Sequence, residues 1–390
     1  MNPSFVELGL RPELVSVLDA CSVTTPFPVQ SATIPAALDG RDVAACAPTG
    51  SGKTLAFALP LLQSLERAQP KRPRALILAP TRELAGQICR DIQPLASAVG
   101  RRSLALYGGT SIAAQRRALN RGVDVVVACP GRLLDLVEQR IVDLRDVAFV
   151  VVDEADRMSD MGFLPEVRRL LSQTAADRQV LLFSATLDGD VAALVREYQH
   201  DPRRIDVGHD DGRVSHADHA FHHVEPAQRA TRLTALLRNG GRTLVFCRTR
   251  RGVDRLTKVL GANGITAVAL HGGHAQGRRD RALVDFTRGR VRVLVATDVA
   301  ARGIHIDGID QVVHFDVAED AKTYLHRSGR TARAGSGGSV VSFVAPADKG
   351  RVAELRRTLG LHDASSHPPQ RAPRTRSAAP RRRRPTRGAA

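Results

Sequence analysis

The chain has 390 residues, 43% of them hydrophobic, and a formal net charge of +17, which suits two domains of ordinary size and a polyanionic partner, nucleic acid foremost. Its five cysteines (Cys21, Cys46, Cys89, Cys129, Cys247) are scattered and form no C-x-x-C pair, which argues against a disulfide scaffold or a cysteine zinc site. No apolar run reaches the ~18–20 residues of a membrane helix, and "MNPSFVELGL" lacks the basic and apolar regions of a signal peptide, so a soluble, cytoplasmic protein without a membrane partner is expected.

In chain order, "VAAC" (Val43 to Cys46) reads as a first strand, followed by the Gly-rich "APTGSGKT" and the helix-like "LAFALPLLQSL". Further apolar runs follow in the first half: "RALILAP", "VDVVVACP", "VAFVVVDEAD" and "QVLLFSAT". "GRLLDLVEQ" between them has helical periodicity. From Val207, "VGHDDGRVSHAD" is polar and poor in apolar residues, and it reads as a linker. The second half resumes with "RTLVFCRT", "ITAVALHGG", "VRVLVATD", "QVVHFD" and "GSVVSFVAP", with "RGVDRLTKVL" as a helix. Runs this apolar, without clean alternation, suit strands buried on both faces, and alternation with helices predicts parallel sheets of the α/β class. The predicted division is residues 1–208, a linker at 209–217, a second domain at 218–360, and a tail at 361–390. From Ser366 the tail carries eight Arg and no acid, and it should be disordered and available to tether RNA.

The motif with the most chemical content is Ala47, Pro48, Thr49, Gly50, Ser51, Gly52, Lys53, Thr54. A strand, a Gly-rich loop and a helix start make a phosphate cradle, with backbone N–H groups pointing inward and the helix dipole favouring anions. Lys53 supplies a point charge for the β- and γ-phosphates of ATP, and Thr54 a hydroxyl for Mg²⁺. Ala47 stands where the full pattern has Gly, but in a chain of 52 Arg and five Lys this position holds Lys. Asp153, Glu154 and Asp156 then load three carboxylates onto the end of a buried strand. Beside a magnesium-bound triphosphate, Asp153 would hold Mg²⁺ through water, and Glu154 would polarise the attacking water.

Asp153-Glu154-Ala155-Asp156 spells the tetrapeptide of the DEAD-box ATP-dependent RNA helicases, and the chain resembles that family, in its bacterial superfamily 2 form, from about Phe5 to Gly335. "PTRELAGQ", "YGG", "PGR", "SAT", "VFCRTR", "ATDVAARGI" and "HRSGRTARAG" carry the likeness in the family's order. The resemblance implies two RecA-like P-loop domains in tandem, with ATP and RNA in the cleft between them. It implies RNA-stimulated ATP hydrolysis coupled to local unwinding of short duplexes or to remodelling of ribonucleoproteins. Phe5 would stack on adenine and Gln30 would read its edge, in a Q motif where Phe27 and Ser22 replace the usual Thr and Gly. Arg330 and Arg333 resemble arginine fingers that reach the γ-phosphate on closure. Asp156, Ser184, Thr186, Asp298, Arg302 and His326 resemble coupling residues, and His305 stands where the family often has an Asp that touches the ribose. The RNA path implied in the first domain is Pro80, Thr81, Arg82, Gly108, Gly109, Pro130, Gly131 and Arg132, with Cys129 in place of a usual Thr. In the second it is Arg248, Thr249, Gly272, Arg279 and Thr297. Aromatics are only 4%, so gripping of the backbone without sequence reading is expected. Two other readings compete: a non-catalytic RNA-binding or annealing protein, and a DNA-directed motor. His216, His219, His222 and His223 form a conspicuous cluster without a Cys or acid to complete a metal site, and they read as a linker entering a surface strand.

Overall fold

The computed structural model describes residues 3–48, 50–207, 217–238, 240–301, 308–332 and 337–361. The predicted strands form where the apolar runs lie, and their side chains alternate between two buried faces. On the strand through Val150 to Val152, the side chains of Phe149 and Val151 join one core and those of Val150 and Val152 the other. Burial on both faces explains why these runs lack the alternation of a half-exposed strand.

In the first half, helices α1 (Pro12–Ala20) and α2 (Pro28–Leu38) precede β1 (Val43–Cys46) and α3 (Lys53–Ser64). Then come β2 (Ala75–Leu78), α4 (Arg82–Ala98), β3 (Ser103–Leu106), α5 (Ile112–Asn120), β4 (Val125–Ala128) and α6 (Pro130–Glu138). β5 (Phe149–Asp153), α7 (Ala155–Asp160), α8 (Leu164–Leu171), β6 (Gln179–Ser184), α9 (Gly189–Tyr198) and β7 (Arg203–Asp206) complete it. All seven strands are parallel, in the order β3-β4-β2-β5-β6-β1-β7.

The second half holds β8 (Asp218–His223), α10 (Arg229–Arg238), β9 (Thr243–Phe246), α11 (Arg250–Ala262), β10 (Ala267–Leu270) and α12 (Gln276–Thr287). It continues with β11 (Val293–Ala296), α13 (Asp298–Ala301), β12 (Gln311–His314), α14 (Ala321–Ser328), β13 (Ser339–Val344) and α15 (Lys349–Leu359). Its six strands are again parallel, ordered β10-β11-β9-β12-β13-β8, with Leu244 and Phe246 on one core and Val245 and Cys247 on the other. Of the histidine cluster, His219, His222 and His223 lie on β8, a half-exposed edge strand that among the described residues pairs only with β13, while His216 lies outside the described residues.

The break between the sheets falls between Asp206 and Asp218. Of the predicted linker only Ala217 is described, and of the predicted tail only Leu361. Among the described residues no helix is long and apolar enough to cross a membrane.

Strand order decides what meets at the carboxyl edge of the first sheet, the usual ligand edge of an open parallel sheet. β6 lies between β1 and β5. The loop after β1, the Ser184-Ala185-Thr186 segment after β6 and the acids after β5 therefore stand side by side.

Candidate active site at the seam of two domains

The Gly-rich loop is shaped by its glycines. Gly50 and Gly52 have φ of +91° and +88°, in the left-handed region that favours glycine. A Cβ on Gly52 would also meet Gln30 Nε2 at 2.5 Å and Phe27 Cδ2 at 2.7 Å. Lys53 opens α3, is buried, and donates from Nζ to the Ala47 carbonyl at 3.0 Å. Ser51 Oγ donates to the Pro48 carbonyl at 2.8 Å. Thr54 follows Lys53 in the first turn of α3 and is half-buried. Gln30 ties the Q motif to this loop: its Nε2 donates to the Gly52 carbonyl (3.0 Å) and its Oε1 accepts from the Phe27 amide (2.8 Å).

Phe5 requires a correction. Its ring is 3% exposed and packs in the first-domain core, leaving no open face for an adenine. An apolar ring near the start of the chain gains more by joining that core than by waiting at the surface. The exposed aromatic beside the loop is Phe27, 48% exposed and close to Gly52.

Two strands away, Asp153 ends β5 and is buried. Burial pushes its carboxyl up to about 7, with Lys53 pulling down and Glu154 and Asp156 adding to the rise. A carboxylate held this way gains from a nearby cation, and it and the Thr54 hydroxyl are the oxygen donors that could hold Mg²⁺. Glu154 adopts a left-handed conformation (φ +53°, ψ +51°) between β5 and α7, unusual for a non-glycine residue. Its carboxylate is buried 3.3 Å from Arg157 Nε, an ion pair with both side chains under 5% exposed. Ser184 Oγ accepts from the Asp156 amide at 3.1 Å and from the Thr186 amide at 3.4 Å. Asp156 Oδ1 in turn accepts from the Ala185 amide at 3.5 Å. These bonds knit the acidic turn to the segment after β6.

The second domain presents α14 to these acids. His326 sits at its last turn, and burial followed by the Arg157 charge holds its imidazole down to about 4; Arg330 adds to this, while Asp156 and Glu154 oppose it. His326 thus lies within electrostatic reach of the acidic turn across the seam, and Arg330 stands beside it. Arg330 is buried, with Nε donating to the His326 carbonyl at 3.2 Å. Arg327 is committed elsewhere: it grips Asp298 with two bonds of 2.6 and 2.7 Å, donates to the Asp316 carbonyl at 2.7 Å, and lies over the Phe246 ring. This fixes α14 to the first residue of α13 within the second domain. Thr49, Arg302, His305 and Arg333 lie outside the described residues.

Of the residues expected along the nucleic-acid path, Gly109 comes near the second domain, where a Cβ on it would lie 3.7 Å from Gln276 Cβ. Thr81 caps α4 by accepting from the Leu84 amide at 3.3 Å, and Thr249 caps α11 by accepting from the Gly252 amide at 3.0 Å. Arg82 lies against Gly108 and Gly109, where a Cβ would come within 3.0 and 2.6 Å of its guanidinium. Pro130 and Gly131 open α6, and Arg132 bonds Gln115 at 3.1 Å. Cys129, just before α6, is half-buried, and desolvation pushes its thiol up to about 12. Arg248 is exposed, and its amide donates to Asp316 at 2.9 Å; a Cβ on Gly272 would lie 3.5 Å from the Arg250 guanidinium, and Thr297 is buried just after β11.

Arg279 departs from its expected role as an open phosphate contact. Its Nη2 meets Glu83 Oε1 at 2.6 Å, with side chains 8% and 2% exposed, and Gln276 Nε2 donates to the same oxygen at 3.3 Å. Glu83 belongs to α4 and the other two to α12, so this cluster clasps one domain to the other. Sequence reasoning missed Glu83, Gln276 and Arg157. The available signal was a charge inside an otherwise apolar helix face, as Glu83 is in "RELAGQI".

The DEAD/DEAH box helicase family matches residues 27–194, and the helicase conserved C-terminal domain matches residues 228–335. The chain belongs to the DEAD-box helicases. Its likeness to the ATP-dependent RNA helicase RhlB of Xanthomonas axonopodis is 41% identity over 351 residues, covering 87% of this chain and 62% of that one. Across the curated relatives compared, the chain spans about half to three fifths of their length. Among solved structures it is similar to S. cerevisiae Dbp5 bound to RNA and ADP BeF3, with a TM-score of 0.81, 30% identity, and 92% and 93% of the two chains covered. A DEAD box protein from Methanococcus jannaschii, 32% identical and covered to 98% against 92% of this chain, superposes less well, with a TM-score of 0.54. This DEAD-box chain therefore shares the tandem parallel-sheet architecture of RecA-like helicases.

Proposed function

We propose that this DEAD-box protein is an ATP-dependent RNA helicase whose RNA-stimulated hydrolysis drives local opening of short duplexes or displacement of bound protein. The observation that carries the reading is the approach of His326, from the second domain, to the acidic turn that follows β5 in the first. It is supported by the superposition on a relative whose structure was solved with RNA and ADP BeF3.

In this reading Lys53 leaves the Ala47 carbonyl for the β- and γ-phosphates of ATP. Thr54 and Asp153 would hold Mg²⁺, which would neutralise charge on the phosphate oxygens. Glu154 orients and polarises the attacking water once its Arg157 partner is shared with the phosphates. Arg330, with Arg333, supplies positive charge to the γ-phosphate when the domains close, a contribution of typically about 10³–10⁵ in rate. RNA is gripped by its backbone along Thr81, Arg82, Gly109, Arg132, Arg248 and Thr249, without sequence reading.

The test is Glu154→Gln, which keeps shape and removes the charge. RNA-stimulated ATP turnover should be abolished while nucleotide affinity is kept. Unchanged turnover removes Glu154 from this role. Stimulation of the unmodified protein by single-stranded DNA equal to that by RNA would make it a DNA-directed motor instead.

A further inference from the structure

The second domain carries a group of ligating side chains that the helicase reading does not use. Asp254 lies on α11, and His271 and His274 lie in the turn between β10 and α12. Asp254 Oδ1 is 3.0 Å from His271 Nε2 and 3.2 Å from His274 Nε2. All three ligating atoms lie within 4.8 Å of one another, and the ring centroids are 3.8 Å apart. The His271 and His274 side chains are 4% and 9% exposed. His274 Nδ1 is buried with no hydrogen-bond partner among the described residues.

A tetrahedral ion with bonds of about 2.0–2.1 Å to nitrogen sets its ligand atoms about 3.3 Å apart. The two distances to Asp254 are already close to that spacing. Two imidazoles and one carboxylate suit Zn²⁺, Co²⁺ or Ni²⁺ and not Mg²⁺, which prefers oxygen.

We propose that Asp254, His271 and His274 form a binding site for a zinc-class divalent cation, with three protein ligands and one open position. Coordination through Nε2 moves each ring proton to Nδ1. On His274 that atom is free to take it. On His271 it now accepts from the Gly273 amide at 3.1 Å, so filling the site turns that amide away. The turn leads directly into Gln276 and Arg279, which clasp Glu83 in the other domain. An ion here would therefore tie α11 to the loop that carries the clasp.

The test uses the full chain, freed of metal and kept without nucleotide or RNA, so its outcome is independent of helicase activity. Co²⁺ is titrated while its visible ligand-field absorption is followed, and Zn²⁺ is then added in competition. One Co²⁺ per chain should bind, be displaced by Zn²⁺, and resist excess Mg²⁺. His274→Ala and Asp254→Asn should each weaken binding at least about tenfold, whereas His216→Ala and His222→Ala should not. Circular dichroism checks the fold, and His274→Gln serves if Asp254→Asn disturbs it. Absence of the absorption in the unmodified chain, equal affinity after both His274 substitutions, or loss on His216→Ala would each overturn the proposal.

Discussion

Replacing Arg279 with Ala probes the seam directly. The guanidinium meets Glu83 at 2.6 Å with both side chains almost fully buried, and Gln276 offers the same carboxylate a longer bond of 3.3 Å. Removing one partner of a buried pair leaves an uncompensated charge at a cost of about 3–5 kcal/mol. Because the two charges belong to different domains, parting the domains returns Glu83 to water. The cost therefore falls on closure and not on either fold. Taking the lower end, because Gln276 remains, gives a loss of about 10²-fold in the closed population. The assay is fluorescence anisotropy of labelled RNA with and without a non-hydrolysable ATP analogue. The analogue-dependent gain in RNA affinity should fall by about that factor, while nucleotide-free binding and the thermal midpoint stay unchanged. Glu83→Leu with Arg279→Leu should recover part of the gain, since no buried charge is then stranded. An equal loss with and without the analogue would refute the clasp and return Arg279 to the phosphate contact its sequence position suggests.

Three further outcomes follow from the same geometry. Lys322 meets Asp160 across the seam at 2.8 Å, but their side chains are 43% and 37% exposed, so Lys322→Ala should cost no more than about 1 kcal/mol in the same binding assay. His326 is held down to about 4 against an ordinary 6.5. Its protonation therefore favours the parted or unfolded protein, and its contribution is fully present above pH 6.5 and lost as pH falls toward 4. A pH profile of RNA-stimulated hydrolysis should show that acid limb, and His326→Gln should flatten it. Phe5→Ala should lower stability to denaturant by about 3–5 kcal/mol, whereas Phe27→Ala should raise the KM for ATP and leave stability unchanged.

What could be read from the residues alone was whatever is local. The phosphate loop, the acidic strand end and the apolar runs declare themselves within a few positions, because strand, turn and helix start are each short-range arrangements. β3 and β7 are not among the expected strands, since a four-residue edge strand that is only partly buried carries little apolar signal. Glu83 and Arg279 are 196 positions apart, and nothing in "RELAGQ" or "QGRRD" says that the two meet. Arg279 consequently reads as one more cation for a polyanion. Phe5 misled for the converse reason: its motif position suggests a ligand contact, while the packing of α1 and its neighbours draws the ring inward. The placement of β6 between β1 and β5, which lets Ser184 bond the acidic turn, is a matter of strand order that no single segment encodes.

Thr81 and Thr249 start equivalent helices, one in each sheet, and each hydroxyl folds back on an amide of its own first turn. If both receive RNA, as proposed, such duplicated receivers impose a minimum footprint. An oligonucleotide long enough for one would dock without drawing the halves together, and only a strand that spans both can act as a trigger. Stimulation of turnover should therefore switch on over a narrow interval of strand length instead of rising in proportion to it.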